Sequence, residues 1–219
     1  IKKLSMELGG NAPFIVFDDA DLDAAVEGAI AAKYRNAGQT CVCVNRIYVQ
    51  DAVYDAFARR FADQAATLRV GPGLQADSQI GPLITPKALT QVQGLVDDAR
   101  AQGARLLTGG EAHALGGTFM APTVLADVRP GMRVLREEIF GPVAPLVRFR
   151  DEQDVIRQAN DTEFGLAAYF YTRDASRVWR VAEQLEYGMV GINTGMISNE
   201  VAPFGGVKQS GLGLSLIHI

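Results

Sequence analysis

The sequence of 219 residues predicts an α/β domain built on a mostly parallel β-sheet. Short apolar segments bounded by turn residues recur along the chain, and the segments between them carry apolar residues at helical spacing. Strands without polar alternation are typical of parallel sheets that helices cover on both faces. Hydrophobic residues make up 48% of the chain, so a domain of this length can form a substantial core.

The individual elements are predicted from local patterns in chain order. Strands are expected over residues 12–17, 47–49, 105–108, 144–149, 167–171 and 189–192. Helices are expected to begin at polar capping residues, namely Asp21, Asp51, Thr85, Asp151 and Asp174. The third of these helices has the clearest boundaries, because Pro86 occupies its first helical position and Gly103 ends it.

Charge and composition argue against two classes of partner. The net charge is -4 and the basic residues are scattered, so no basic face favours nucleic acid. No apolar run reaches the roughly 18 residues that a membrane-spanning helix needs, and no signal-peptide pattern is present. The two cysteines are too few for a disulfide framework, which favours a reducing, cytoplasmic location.

Cys41 is the candidate nucleophile. It lies in the sequence Gly38-Gln39-Thr40-Cys41-Val42-Cys43, and a cysteine in a glycine-led loop near a helix N-terminus favours the thiolate. One alternative is a small buried hydrophobic residue, the usual role of a free cysteine. Metal binding is a second alternative, but a Cys-x-Cys pair alone lacks two further ligands.

Glu7 is the candidate base for this nucleophile. The chain has two histidines, and His113 lies in a sequence typical of a solvent-exposed loop. A carboxylate therefore suits the role better than an imidazole. Two glycines follow Glu7, which allows backbone and ligand to approach closely. The alternative is a surface or capping carboxylate.

Four motifs, in this order, resemble the aldehyde dehydrogenase superfamily: Glu7–Asn11, Gly38–Cys41, Glu138–Pro142 and Pro203–Gly211. The resemblance spans residues 2–213 and implies a C-terminal fragment of such an enzyme, with its three-layer catalytic domain.

The resemblance also implies domain boundaries. Residues 1–10 would end a cofactor-binding domain, 11–196 would form the catalytic domain, and 197–213 would be a C-terminal return segment. Residues 214–219 resemble translated vector sequence, so we expect a non-native tail in which His218 has no function.

The resemblance also assigns roles to single residues. Cys41 would be the nucleophile and Glu7 would activate water. Glu138 would bind the nicotinamide ribose of NADP or NAD, with Leu8 and Phe140 beside the cofactor. The Cys41 N–H would form half of an oxyanion hole, whose other half is an Asn side chain upstream of this sequence.

A finer resemblance, to succinate-semialdehyde dehydrogenases, rests on Arg35–Cys43, Glu163–Tyr171 and Gly191–Gly195. It places Arg35 and Ser198 on the distal carboxylate of the substrate, and a guanidinium binds a carboxylate bidentately. Arg35 in a structural ion pair and Ser198 capping a turn are the alternatives. Glutarate and other ω-acid semialdehydes fit the same features.

The implied reaction oxidises an aldehyde to an acid through a thiohemiacetal and a thioester on Cys41. We also expect a homo-oligomer, either a dimer or a tetramer, and no metal. Cys43 is a candidate redox partner of Cys41. Two other functions stay open: a cofactor-independent thiol esterase, and an inactive fragment that binds full-length subunits.

Overall fold

The computed structural model describes residues 6–199 and 201–212, and its centre is a seven-stranded sheet. The strands of this sheet are β1 (Ala12–Val16), β2 (Val44–Gln50), β3 (Arg105–Thr108), β4 (Thr123–Ala126), β5 (Val143–Phe149), β7 (Ala167–Tyr171) and β8 (Met189–Ile192). Their order is β3-β4-β5-β2-β1-β7-β8, and the β3–β4 pair alone is antiparallel. The short strands β6 (Phe164–Gly165) and β9 (Val207–Lys208) form a separate antiparallel pair.

Six α-helices connect or flank these strands: α1 (Leu22–Tyr34), α2 (Asp51–Ala66), α3 (Pro86–Ala101), α4 (Arg133–Arg136), α5 (Glu152–Asn160) and α6 (Ala175–Gln184). Four of the predicted caps are confirmed, because each side chain accepts a hydrogen bond from the first turn of its helix: Asp21, Thr85, Asp151 and Asp174. None of the helices in the described part of the chain is both long and apolar enough to cross a membrane.

The predicted three-layer arrangement is confirmed by two separate apolar clusters, one on each face of the sheet. Alternate residues of β1 divide between them, with Phe14 in one cluster and Ile15 in the other. Helices α1 and α2 cover the first face, while α3, α5 and α6 cover the second. This double burial explains why the strands lack polar alternation.

The prediction for Asp51 was wrong. The residue is the first of α2 and not its cap, and Gln50 at the capping position makes no side-chain hydrogen bond. The Asp51 carboxylate instead accepts a hydrogen bond from Arg148 at 2.7 Å. Sequence analysis also missed β4, α4 and the β6–β9 pair, which are too short to show a period.

The topology brings the motif segments together at one end of the sheet. Residues 7–10 lead into β1, residues 38–43 into β2, and residues 138–142 into β5. Residues 163–166 contain β6 and lead into β7. Because β5, β2, β1 and β7 are parallel neighbours, their amino ends lie side by side. Residues 1–5, 200 and 213–219 lie outside the described residues, and with them His218 and the expected tail.

Candidate active site

The segment that carries Glu7 is held by the segment around Ser210. The Leu8 N–H donates to the Ser210 carbonyl at 3.1 Å, and the Ser210 hydroxyl donates to the Gly9 carbonyl at 2.7 Å. The same hydroxyl accepts a hydrogen bond from the Gly165 N–H at 2.9 Å. Ser210 is fully buried, so these bonds are shielded from water. Sequence analysis had not singled out this residue, although it lies in the fourth motif.

Two glycines allow three motifs to meet. A Cβ on Gly10 would lie 2.2 Å from the Cys41 carbonyl oxygen, and a Cβ on Gly9 would lie 3.0 Å from Glu138 Oε2. The Gly10 N–H also donates to Glu138 Oε1 at 3.1 Å. A side chain at Gly10 would therefore push the Glu7 segment away from the Cys41 loop.

Cys41 is half-buried in a turn before β2 and does not begin a helix, so no helix N-terminus favours its thiolate. Burial raises the pKa of the Cys41 thiol above its ordinary value, and the negative charges of Glu7 and Glu138 raise it further. These surroundings favour the protonated thiol over the thiolate. A nucleophilic Cys41 would therefore need a base, and Glu7 is close enough to act on the thiol electrostatically.

The backbone N–H of Cys41 lies beside its own thiol. It donates to no backbone carbonyl among residues 6–199 and 201–212, and its hydrogen bond to the thiol lowers the pKa of Cys41 against the larger effect of burial. An N–H in this place is suited to donate to an oxyanion that forms on a carbonyl carbon bonded to the sulfur.

Glu138 lies against the charge of a buried lysine. Burial raises the pKa of Glu138, while the Gly10 N–H and the positive charge of Lys33 lower it. Lys33 is 1% exposed, and burial lowers its pKa to about 8. Sequence analysis missed Lys33, because nothing in a helical pattern tells a buried lysine from a solvated one.

The residues predicted to lie beside a cofactor have exposed apolar surfaces. Leu8 is 46% exposed and Phe140 is 42% exposed, and each lies two positions from one partner of the Gly10–Glu138 hydrogen bond. Apolar side chains next to a half-buried carboxylate fit a group with a flat ring and a sugar hydroxyl. These residues therefore fit a nicotinamide nucleotide.

Arg35 and Ser198 line the same small cavity, together with Thr40, Cys43 and Met196. The Arg35 guanidinium contacts Met196 Sδ at 3.7 Å. Within the described residues no carboxylate lies at ion-pair distance from Arg35, so the alternative of a structural ion pair has no partner there. The cavity is thus lined by a hydroxyl and by a guanidinium that no described carboxylate pairs with.

Cys43 is buried beside the nucleophile loop. Its Sγ lies 2.8 Å from Thr40 Oγ1 and 3.6 Å from the Arg35 carbonyl oxygen. The proximity of Cys43 also contributes to the raised pKa of Cys41.

His113 lies in the loop between β3 and β4. The described segments contain no group of three or more His, Cys, Asp and Glu side chains that could hold a metal ion.

Comparison with known proteins relates this geometry to a family. Residues 1–218 match the aldehyde dehydrogenase family. The chain is 66% identical to the succinate-semialdehyde dehydrogenase [NADP(+)] of Escherichia coli (strain K12), covering 97% of this chain and 44% of that protein. It is 65% identical to a glutarate-semialdehyde dehydrogenase of Pseudomonas aeruginosa, with the same coverage of both chains.

The solved structures agree with these relatives. A succinate-semialdehyde dehydrogenase from Burkholderia pseudomallei superimposes with a TM-score of 0.96 and 66% identity, over 97% of this chain and 44% of that one. The chain therefore spans less than half the length of the relatives that it matches. The family match, the sequence identity and the superposition together establish that the chain belongs to the aldehyde dehydrogenase family.

Proposed function

We propose that the whole protein oxidises an aldehyde with a distal acid group to the corresponding dicarboxylic acid, using NADP or NAD. The observation that carries this proposal is the convergence of Glu7, Cys41 and Glu138 around the Gly9–Gly10 pair. Succinate semialdehyde is the substrate that we favour, and glutarate semialdehyde is the second candidate. Relatives above 60% identity bear both names.

Cys41 forms the covalent bond to the substrate. Its thiol proton passes to Glu7, and the sulfur attacks the aldehyde carbon. The carbonyl π electrons move onto oxygen, where the Cys41 N–H, which donates to no backbone carbonyl within the described residues, donates a hydrogen bond to the new oxyanion. The raised pKa of the Cys41 thiol supports this role for Glu7, because the loop by itself keeps the thiol protonated.

Glu138, Leu8 and Phe140 would hold the cofactor, and a bound nicotinamide supplies the hydride acceptor for the oxidation. The half-buried Glu138 carboxylate, fixed by the Gly10 N–H at 3.1 Å, is suited to accept hydrogen bonds from a ribose. NADP is favoured over NAD because two of the relatives carry NADP(+) in their names.

Glu7 completes the reaction by hydrolysis. After it has released the thiol proton to solvent, Glu7 removes a proton from a water molecule. The water oxygen bonds to the acyl carbon, and the C–S bond breaks to release the acid and the Cys41 thiolate. The segment of Glu7 is well held by Ser210, while the Glu7 side chain itself is exposed. Solvent can therefore reach the base.

Arg35 and Ser198 would bind the distal acid group of the substrate. The guanidinium is unpaired within the described residues and shares a cavity with the Ser198 hydroxyl. A carboxylate would meet two parallel N–H donors and one O–H donor there.

We further propose that the whole protein is a homo-oligomer in the cytoplasm. Size-exclusion chromatography measures its oligomeric state.

The test uses the whole protein with succinate semialdehyde and both nicotinamide cofactors, followed by cofactor fluorescence. Cys41→Ala should abolish turnover. Glu7→Gln should still acylate but release the acid slowly, while the control Glu183→Gln, on the exposed face of α6, should match the parent. Normal steady-state turnover by Glu7→Gln would remove Glu7 from the mechanism.

The same proteins and assays distinguish two other candidate functions. A thiol esterase would hydrolyse activated esters at a rate that no cofactor changes, and would not produce reduced nicotinamide. An inactive subunit would show neither activity, but would coelute with an intact relative on size exclusion.

A further inference from the structure

The loop that carries Cys41 begins with a left-handed turn. Three successive residues have positive φ angles, 51° at Asn36, 55° at Ala37 and 75° at Gly38. For Asn36 and Gly38 this conformation is common, but for a buried alanine it is strained by about 1 kcal/mol or more. Such a turn persists only when surrounding contacts hold it.

Within the turn, the Gln39 N–H donates to the Asn36 carbonyl at 3.1 Å and Asn36 Nδ2 donates to the Gln39 carbonyl at 3.0 Å. The Gln39 side chain adds the contacts that reach beyond the turn. Its Nε2 donates to the Asn36 carbonyl and to the Pro82 carbonyl, each at 3.2 Å. Its Oε1 accepts a hydrogen bond from the Ile84 N–H at 2.9 Å. One amide therefore ties the left-handed turn to the segment 82–84.

The segment 82–84 is itself anchored. The Leu83 N–H donates to the Thr118 carbonyl at 2.9 Å, and the Thr118 hydroxyl donates to the Leu83 carbonyl at 2.6 Å. Thr85 then caps α3. The amide of Gln39 thus connects the nucleophile loop to a rigid helix start.

We propose that Gln39 is a positioning residue that orients the Cys41 N–H toward the oxyanion. The proposal rests on the proposed function, since it needs Cys41 to attack a carbonyl carbon. Two residues separate the strained turn from the Cys41 N–H, with Thr40 between Gln39 and Cys41. When Gln39 loses its hydrogen bonds, the turn relaxes and the peptide plane between Thr40 and Cys41 rotates.

This role predicts a selective defect. Attack on 4-nitrophenyl acetate passes through an oxyanion before the bond to nitrophenolate breaks, so it needs the oriented N–H. Alkylation by iodoacetamide does not, because the Cys41 sulfur displaces iodide directly and no oxyanion forms. Removing one oxyanion donor typically costs ~10²–10³ in rate, and misorienting it should cost about tenfold or more.

The experiment measures both rates on Cys41 at one pH, by the nitrophenolate burst and by mass spectrometry of the alkylated peptide. Gln39→Met removes every side-chain hydrogen bond, and Gln39→Glu keeps an oxygen for the Ile84 N–H but loses both donors. The control is Gln79→Met, whose Oε1 accepts from the Arg69 N–H at 3.0 Å outside the nucleophile loop.

The expected result is a burst slowed about tenfold or more in both Gln39 variants, with alkylation within about threefold of the parent. Equal slowing of burst and alkylation would mean that the sulfur itself is displaced, and an unchanged burst would mean that Gln39 positions nothing. Either result overturns the inference alone. If the parent shows no burst beyond that of Cys41→Ala, the proposed function fails and the inference fails with it.

Discussion

Replacing Lys33 with Met is expected to stabilise the protein at neutral pH. Lys33 lies in the last turn of α1 and is 1% exposed. Burial lowers its pKa, and among the described residues Cys43 and Glu138 counteract this effect. Their attraction does not offset the loss of water around the ammonium group. Methionine fills a similar volume without a charge.

The magnitude follows from the pKa. Burial lowers the pKa of Lys33 from 10.5 to about 8. Each tenfold change in proton affinity corresponds to about 1.4 kcal/mol, so the charged form costs the folded protein about 3 kcal/mol. For a domain of this size, that corresponds to a rise in Tm of roughly 6–12 °C for Lys33→Met.

The stability gained by Lys33→Met should decrease as the pH rises. Below pH 8, Lys33 is protonated in both the folded and the unfolded parent, so the full difference from the variant is present. Between pH 8 and 10.5 the folded parent loses this proton first, and the unfolded chain keeps it. The parent therefore gains stability relative to Lys33→Met as the pH rises, and the difference disappears near pH 10.5.

Urea unfolding at pH 7, 8, 9 and 10, followed by far-ultraviolet circular dichroism with reductant present, measures this difference. Cys41 and the buried tyrosines also titrate in alkali, but they contribute equally to parent and variant. The control Lys87→Met changes an exposed lysine of α3 and should leave the free energy of unfolding unchanged within about 0.5 kcal/mol. A Lys33→Met protein less stable than the parent at pH 7, or a difference independent of pH, would refute this reasoning.

Three further predictions concern the site. Arg35→Ala should raise KM for succinate semialdehyde by about 10- to 100-fold and leave small neutral aldehydes nearly unaffected, because one charged hydrogen-bond partner is lost; equal losses on both substrates would make Arg35 structural. Mild peroxide should join Cys41 and Cys43 in a strained disulfide, seen in mass spectra as a loss of two hydrogens that thiol reverses; sulfenic or sulfinic acid on Cys41 alone would exclude it. Residues 1–219 expressed alone should not oxidise aldehydes with either cofactor, because the resemblance assigns the nucleotide-binding unit and the second oxyanion donor to upstream sequence; turnover within tenfold of the whole protein would contradict this assignment.

Features that depend on neighbouring residues could be predicted from the sequence, whereas features that depend on distant residues could not. The start of α3 was predicted correctly because Thr85 and Pro86 act on backbone within one turn. The same reasoning failed at Asp51, whose carboxylate is drawn to Arg148 on a strand far away in sequence. A capping preference is worth only about 1 kcal/mol, which the ion pairs of Asp51 with Arg148 and Arg150 together can offset.

The pKa of Cys41 shows the same limit. A helix that began at Cys41 would favour its thiolate, but the glycine-led loop leads into β2. Burial and two nearby carboxylates then dominate the electrostatics, and these come from segments before β1 and β5. The motif identified Cys41 as a candidate nucleophile, whereas the ionisation state of its thiol depends on the residues around it.

By itself, the sequence determined the fold class, the motif residues and the kind of chemistry that they suit, because periodicity, caps and motif spacing are properties of short segments. Tertiary structure alone decided that Glu7, Cys41 and Glu138 meet, that Lys33 is buried beside them, and that Arg35 shares a cavity with Ser198. The physical reason is the strand order β5-β2-β1-β7, which places the amino ends of four parallel strands side by side. That order is set by the packing of two apolar faces over the whole sheet, and no short segment encodes it.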